Sequence, residues 1–302
     1  MSLQILFLLD KTGRVLRDHW DAHWAQDNST YQFDYPIRFD DPELQTVPMP
    51  GEYCVLIKLW SFNYSHFLFE SMDCVQLLEE AGYTGKYVIN DRSYLRNLLR
   101  LYGIGDERIL TSASFEQGTV YSFEKVYYPK LRNNDRYYAA KVLRRLSEHM
   151  KEKLTLDKGR YPSRLFVERT GTRKLLDSDY YTEKYGFTAI DPDALPVGEQ
   201  MNYFYNADIV LAPHGANSAN SLFMRKGTVL VETFGKNWIN YCYIAALREI
   251  GVYYLPVVES STSHEKPYGY IDVNADYAVP TVNLEYAIET AILLAEKSLT
   301  QS

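Results

Sequence analysis

Three cysteines in 302 residues, Cys54, Cys74 and Cys242, are too few and too far apart to form a disulfide framework, and no C-x-x-C spacing offers a zinc site. A reducing compartment is expected. Positive charge is also scarce. The 32 Lys and Arg against 39 Asp and Glu leave a net charge of -7, which argues against nucleic acid, whose affinity comes from many cationic contacts to phosphate. No 18-residue apolar run occurs, so no membrane-spanning segment is predicted, and the apolar stretch 4–9 is too short for a signal peptide. Both common phosphate fingerprints, G-x-G-x-x-G and G-x-x-x-x-G-K-[ST], are missing, as is the G-x-S-x-G elbow of serine hydrolases.

What remains is an ordinary globular balance, 46% hydrophobic and 24% charged, with one excess: 27 tyrosines. Tyrosine combines apolar area with a polar tip and suits sugar, nucleotide and protein contacts alike. The length suits two domains. Strand patterns at 4–9, 53–59, 86–90, 108–111 and 120–128 alternate with helical periodicity at 67–80, 94–102 and 137–154. A turn-rich linker at 156–163 then separates an N-terminal α/β domain, 1–155, from a C-terminal one, 163–302. In the second domain strands at 164–168, 187–190, 208–212, 228–232 and 252–258 alternate with helices at 179–185, 197–206, 216–224 and 238–250. That order predicts an α/β fold with mostly parallel sheets. A long polar and aromatic loop, 261–274, precedes a final helix at 284–297. Gly103-Ile104-Gly105 follows a helix and reads as its C-cap.

Ligands of open parallel sheets bind beyond the carboxyl ends of strands. One such turn stands out. Pro213-His214-Gly215-Ala216-Asn217-Ser218-Ala219-Asn220 is a cluster of small residues opening a helix, where backbone can approach a ligand and the first N–H groups favour a phosphate. A tight turn with close packing explains the same residues. Two companions weigh against that plainer explanation. Glu232 closes the next predicted strand, where a ribose hydroxyl is commonly held, and Arg169-Thr-Gly-Thr-Arg173-Lys174 brings cations to the same edge. In the first domain, His66 and Glu70 stand one helical turn apart behind Asn63, a candidate cap, and Tyr64; the pair suits a general base with its orienting carboxylate, or a structural histidine among aromatics. Asp191-Pro192-Asp193 is formally a D-x-D metal pattern, for which a capped turn is the simpler explanation.

These blocks resemble glycosyltransferase family 61. Asn63-Tyr64-x-His66-Phe67-Leu68-Phe69-Glu70 is similar to the family's N-Y-x-H-W-L-F-D, and Arg169 with Arg173 to its Arg-rich segment. A third block runs from Gly186-Phe187 and Pro192 through Glu199-Gln200, Ala207-Asp208, Pro213-His214-Gly215-Ala216, Asn220 and Phe223-Met224 to Gly227 and Glu232. It follows the family order G-F-x-x-x-x-P, E-Q, A-D-x-x-x-x-P-H-G-A-G-x-x-N, F-M-x-x-G-x-x-x-x-E. Phe67, Glu70, Ala212 and Asn217 depart from it, the last replacing the second glycine of the turn.

The resemblance implies a GT-B architecture, two Rossmann-like domains facing a cleft, and an inverting, metal-independent transfer from a nucleotide-sugar donor, UDP-linked sugars among the candidates. The acceptor would be a hydroxyl of a glycan or lipid-linked glycan, in polysaccharide biosynthesis of a bacterial capsular type. His66 and Glu70 would be catalytic, with Asn63 and Tyr64 on the acceptor side. Arg169, Arg173, His214, Gly215, Ala216, Asn217, Asn220 and Glu232 would bind the donor, and no metal or other cofactor is expected. A non-catalytic nucleotide-sugar binder and a metal-dependent transferase using Asp191 and Asp193 are the alternatives. Asn28-Ser29-Thr30 and Asn63-Tyr64-Ser65 are formal N-glycosylation sequons, but a glycan on Asn63 would obstruct that cleft, so a cytoplasmic setting is expected.

Overall fold

The computed structural model describes residues 46–58, 60–116, 119–129, 139–260 and 272–300; the strand expected at 4–9, the Asn28 sequon and most of the 261–274 loop lie outside them. The chain divides into two units, 1–132 and 133–302, each built on one all-parallel sheet.

In the first unit β1 (Thr46–Val55), β2 (Lys86–Ile89), β3 (Ile109–Thr111) and β4 (Val120–Tyr127) lie in the order β3-β2-β1-β4. The order reverses at β1, so the crevice beyond its carboxyl end is the topological switch point where ligands bind in such sheets. β1 starts well before residue 53. Pro48, Pro50 and Gly51 speak against a strand, yet β4 pairs along the whole stretch while β2 joins only at Tyr53–Val55. The leading half of β1 is therefore one-sided, and prolines are tolerated on an unpaired edge. A register shift between Met49 and Glu52 accommodates them.

After β1 the chain enters α1 (Tyr64–His66), widens into a π-helical turn (Phe67–Ser71) and continues as α2 (Met72–Glu80). The anchors are apolar: Phe67, Leu68, Phe69, Met72 and Val75 are all buried. π-turns inside helices recur at functional sites because they re-aim side chains. α3 (Ser93–Tyr102) ends at Gly103, whose φ of 119° is the left-handed cap expected from the sequence.

The second unit contains α4 (Ala140–Lys151), β5 (Arg164–Val167), α5 (Ser178–Tyr185), β6 (Thr188–Ile190), α6 (Val197–Asn206) and β7 (Ile209–Pro213). A 3-10 helix (Ala216–Phe223), β8 (Val229–Phe234), α7 (Ile244–Ile250), β9 (Tyr253–Val258) and α8 (Thr281–Leu299) follow. Its sheet runs β6-β5-β7-β8-β9, with the switch point between β5 and β7. β7 and β8 are buried throughout, as their near-continuous apolar runs require, and Leu284, Ile288 and Ala291 of α8 pack on Leu211, Val229 and Val231.

Three further elements differ from the sequence reading. α4, read as part of the first domain, lies in the second unit: its buried Val142, Leu143, Leu146 and Met150 line that side, and Ser147 Oγ donates to the Leu222 carbonyl at 2.6 Å. The helix read at 238–250 starts only at Ile244, because Tyr241 packs its ring on Phe234 and Tyr243 sends its hydroxyl to the Gly215 carbonyl. The helix after β7 is 3-10 rather than α. No helix among the described residues is long and apolar enough to cross a membrane.

Candidate active site

The crevice between β5 and β7 is bridged by one side chain. Arg169, just past β5, donates through Nε to the Thr172 carbonyl at 2.8 Å and through Nη1 to the His214 carbonyl, just past β7, at 3.1 Å. The guanidinium lies directly over Gly215: a Cβ there would sit 1.6 Å from Nη1 and 2.9 Å from Cζ. Gly215 is extended, with φ 173°, so the glycine is needed for space and not for backbone conformation. Sequence reading had singled out this turn for close approach of a ligand; the first thing to approach it is Arg169.

Arg173 completes the pair. Its φ of 60° places a non-glycine residue in the left-handed region, a strained conformation held by its neighbours. The neighbours are the segment 274–277, which lies along 173–176. Arg173 N donates to Asn274 O at 3.1 Å, Lys174 N to Asp276 Oδ1 at 2.8 Å, Tyr277 N to Lys174 O at 3.0 Å and Leu176 N to Tyr277 O at 2.8 Å. Tyr277 is pinned in turn, its hydroxyl donating to the Thr233 carbonyl at 2.8 Å. Burial pulls the pKa of both guanidinium groups down, and for Arg173 the neighbouring Arg169 adds to the effect. Asp193 and Asp276 act on Arg169 only through space, and among the described residues no carboxylate acts on Arg173 and its buried Nε has no hydrogen-bond partner. Two desolvated like charges side by side call for an anion.

Beyond Gly215 the half-buried Ala216 and Asn217 begin the 3-10 helix, whose first N–H groups lack helical acceptors. Asn220, expected to steady the turn or touch the donor, is fully buried and donates to Gln200 Oε1 at 3.0 Å, with Gln200 Nε2 donating to the Leu195 carbonyl. It braces the turn from below. Glu232 lies two residues short of the end of β8, fully buried, with Oε1 2.8 Å from His214 Nδ1 and Oε2 accepting from the Tyr254 hydroxyl at 2.7 Å. Both oxygens thus have partners within the protein. Asp191 Oδ1 accepts from Asp193 N at 3.0 Å and caps the short helix Pro192–Ala194, and no group of three or more His, Cys, Asp or Glu able to hold a metal occurs among the described residues.

In the first unit the loop after β1 delivers the other candidates to that sheet's own switch point. Asn63 caps α1, its Oδ1 accepting from Ser65 N at 3.0 Å and His66 N at 3.4 Å. The π-turn keeps His66 and Glu70 together, with Nδ1 2.9 Å from Oε1 and the His66 side chain 36% exposed. Trp60, in the left-handed region at φ 66° and exposed, stacks its ring on the imidazole at 6.4 Å and 27°. Tyr64, expected on the acceptor side, is instead buried with its ring edge-on to Tyr94, and burial pushes its phenol upward.

The residues sequence reading missed are Trp60, Tyr243, Tyr254, Tyr277 and Thr233. For the three tyrosines the only signal was the surplus of that residue; Trp60 and Thr233 had none.

The model of the Glycosyltransferase 61 family matches residues 42–231, more than half of the chain and a span that includes the loops carrying His66, Arg169, Arg173 and His214. No curated protein sequence matches the chain.

Proposed function

This chain belongs to the glycosyltransferase 61 family, and from that premise we propose that it moves a sugar from a nucleoside-diphosphate donor to a glycan hydroxyl, inverting the anomeric carbon without a metal. The observation behind this reading is the Arg169–Arg173 pair, two partly desolvated guanidinium groups in no ion pair with a carboxylate among the described residues, set at a switch point beside a small-residue turn. Guanidinium groups meet phosphate oxygens bidentately and supply charge that a divalent ion would otherwise supply.

The acceptor oxygen attacks the anomeric carbon, its proton passes to His66 Nε2, and the bond from that carbon to phosphate oxygen breaks, its electron pair leaving on the nucleoside diphosphate. Because His66 Nδ1 is held by Glu70, Nε2 is the free acceptor. Arg169, Arg173 and the N–H groups of Ala216 and Asn217 oppose the charge that grows on the leaving group, where preorganised donors lower the barrier most. The reading requires the GT-B arrangement, donor and acceptor halves about a cleft, and fits polysaccharide assembly on a glycan or lipid-linked acceptor in the cytoplasm.

A thermal-shift panel of UDP-, GDP-, dTDP- and CMP-sugars in EDTA tests it. A donor at a hundredfold excess over its Kd stabilises by about 2.7 kcal/mol, so at least one should raise Tm by roughly 5 °C. No shift from any of them at millimolar concentration would sink the reading.

A further inference from the structure

Glu232 is the least accessible carboxylate near the donor turn, and the structure assigns it a role other than ribose binding. We propose that Glu232 and Tyr254 are positioning residues for His214, holding its ring so that Nε2 meets the diphosphate of the donor; this rests on the function proposed above.

Glu232 is 0% exposed, so no ligand atom reaches it. A carboxylate only accepts hydrogen bonds, so His214 Nδ1, 2.8 Å from Oε1, carries a hydrogen, and the Tyr254 hydroxyl donates to Oε2 at 2.7 Å. Tyr254 comes from β9, Glu232 from β8 and His214 from the end of β7, three adjacent strands of one sheet. The imidazole is fixed on its faces as well, stacked on Phe234 at 4.9 Å and 25° and tilted against Tyr243 at 5.8 Å. Main-chain bonds fix its own backbone: His214 N donates to Thr233 O at 2.9 Å, and His214 O accepts from Arg169. The ring is thereby fixed, and Nε2, which has no partner among the described residues, is the atom left to meet a ligand. With Nδ1–H engaged by Glu232, a hydrogen on Nε2 would go to a second anion, here a phosphate oxygen beside Arg169. A buried polar network this complete specifies one geometry, and partial removal leaves the rest unsatisfied.

The test uses two anions that differ in having a ribose: inorganic pyrophosphate, and whichever of UDP, GDP and dTDP binds the wild-type protein most tightly. Calorimetric titration of Glu232→Gln should show both weakened by the same factor, about tenfold, because the defect lies in a phosphate contact. Tyr254→Phe, which removes one hydroxyl and keeps the packing, should weaken both equally and less, about threefold, and serves even if Glu232→Gln fails to fold. Loss confined to the nucleotide, with pyrophosphate unchanged, would mean that Glu232 serves the ribose after all. Unchanged binding of both probes in a folded variant would leave the network structural, and either result overturns the assignment. A wild-type protein that binds neither probe overturns the diphosphate reading itself, a distinct outcome.

Discussion

Gly215→Ala is expected to weaken donor binding by about a hundredfold or more while leaving the fold standing. The added methyl meets a side chain and not backbone: its nearest neighbours are Nη1 and Cζ of Arg169, at 1.6 and 2.9 Å. Since Gly215 is already extended, alanine brings no backbone strain. Arg169 must therefore swing out, breaking its bond to the His214 carbonyl and leaving the crevice between β5 and β7 with one cation instead of two. Hydrogen bonds to charged groups contribute about 1.5–3 kcal/mol each, so losing a bidentate phosphate contact accounts for two decades in Kd. Thermal melting should show a small change and titration with the donor a large one. Arg169→Ala should produce the same loss, and the double variant little more, because both changes remove one guanidinium. Binding of Gly215→Ala within threefold of wild type would show that Arg169 does not contact the donor.

His66→Ala is expected to separate binding from chemistry in the opposite sense. Removing a general base costs typically 10²–10⁴ in rate, so single-turnover kcat should fall by about that factor while donor Kd stays within twofold. The imidazole is well placed to show such a split: it is partly exposed, covered by Trp60 on one face and held by Glu70 through Nδ1. Glu70→Gln keeps the shape and should cost less. If His66→Ala instead lowered Tm by several degrees and left kcat unaltered, His66 would be structural.

Among the described residues most strands and helices were legible because their signals are local. β7 is an unbroken apolar run and β8 opens on one, Val229–Val231, and α6 falls at 197–206 as its periodicity predicts. Failures came where tertiary partners decide. β1 extends through Pro48 and Pro50 only because one of its edges is unpaired there, and 238–243 is held out of helix by ring contacts to Phe234 and a hydroxyl bond to Gly215. The site divides the same way. His66 with Glu70 is an i,i+4 pair and could be read from spacing. Arg169 and His214 stand out as residue types at strand ends. Glu232 was read as a strand-end residue facing ligand, yet β8 continues to Phe234 and carries it inside. Its partner Tyr254 is 22 residues away, and the Tyr277 bond to Thr233 spans 44, contacts fixed by strand pairing and by the 274–277 segment alone.

The central claim is that Arg169 and Arg173 hold the diphosphate of a sugar donor. It is met most directly by titrating the Arg169→Ala/Arg173→Ala protein with the nucleotide sugar that binds wild type best. Loss of affinity by two to three orders of magnitude, at unaltered Tm without ligand, is the expected result. Affinity equal to wild type in that variant would contradict it.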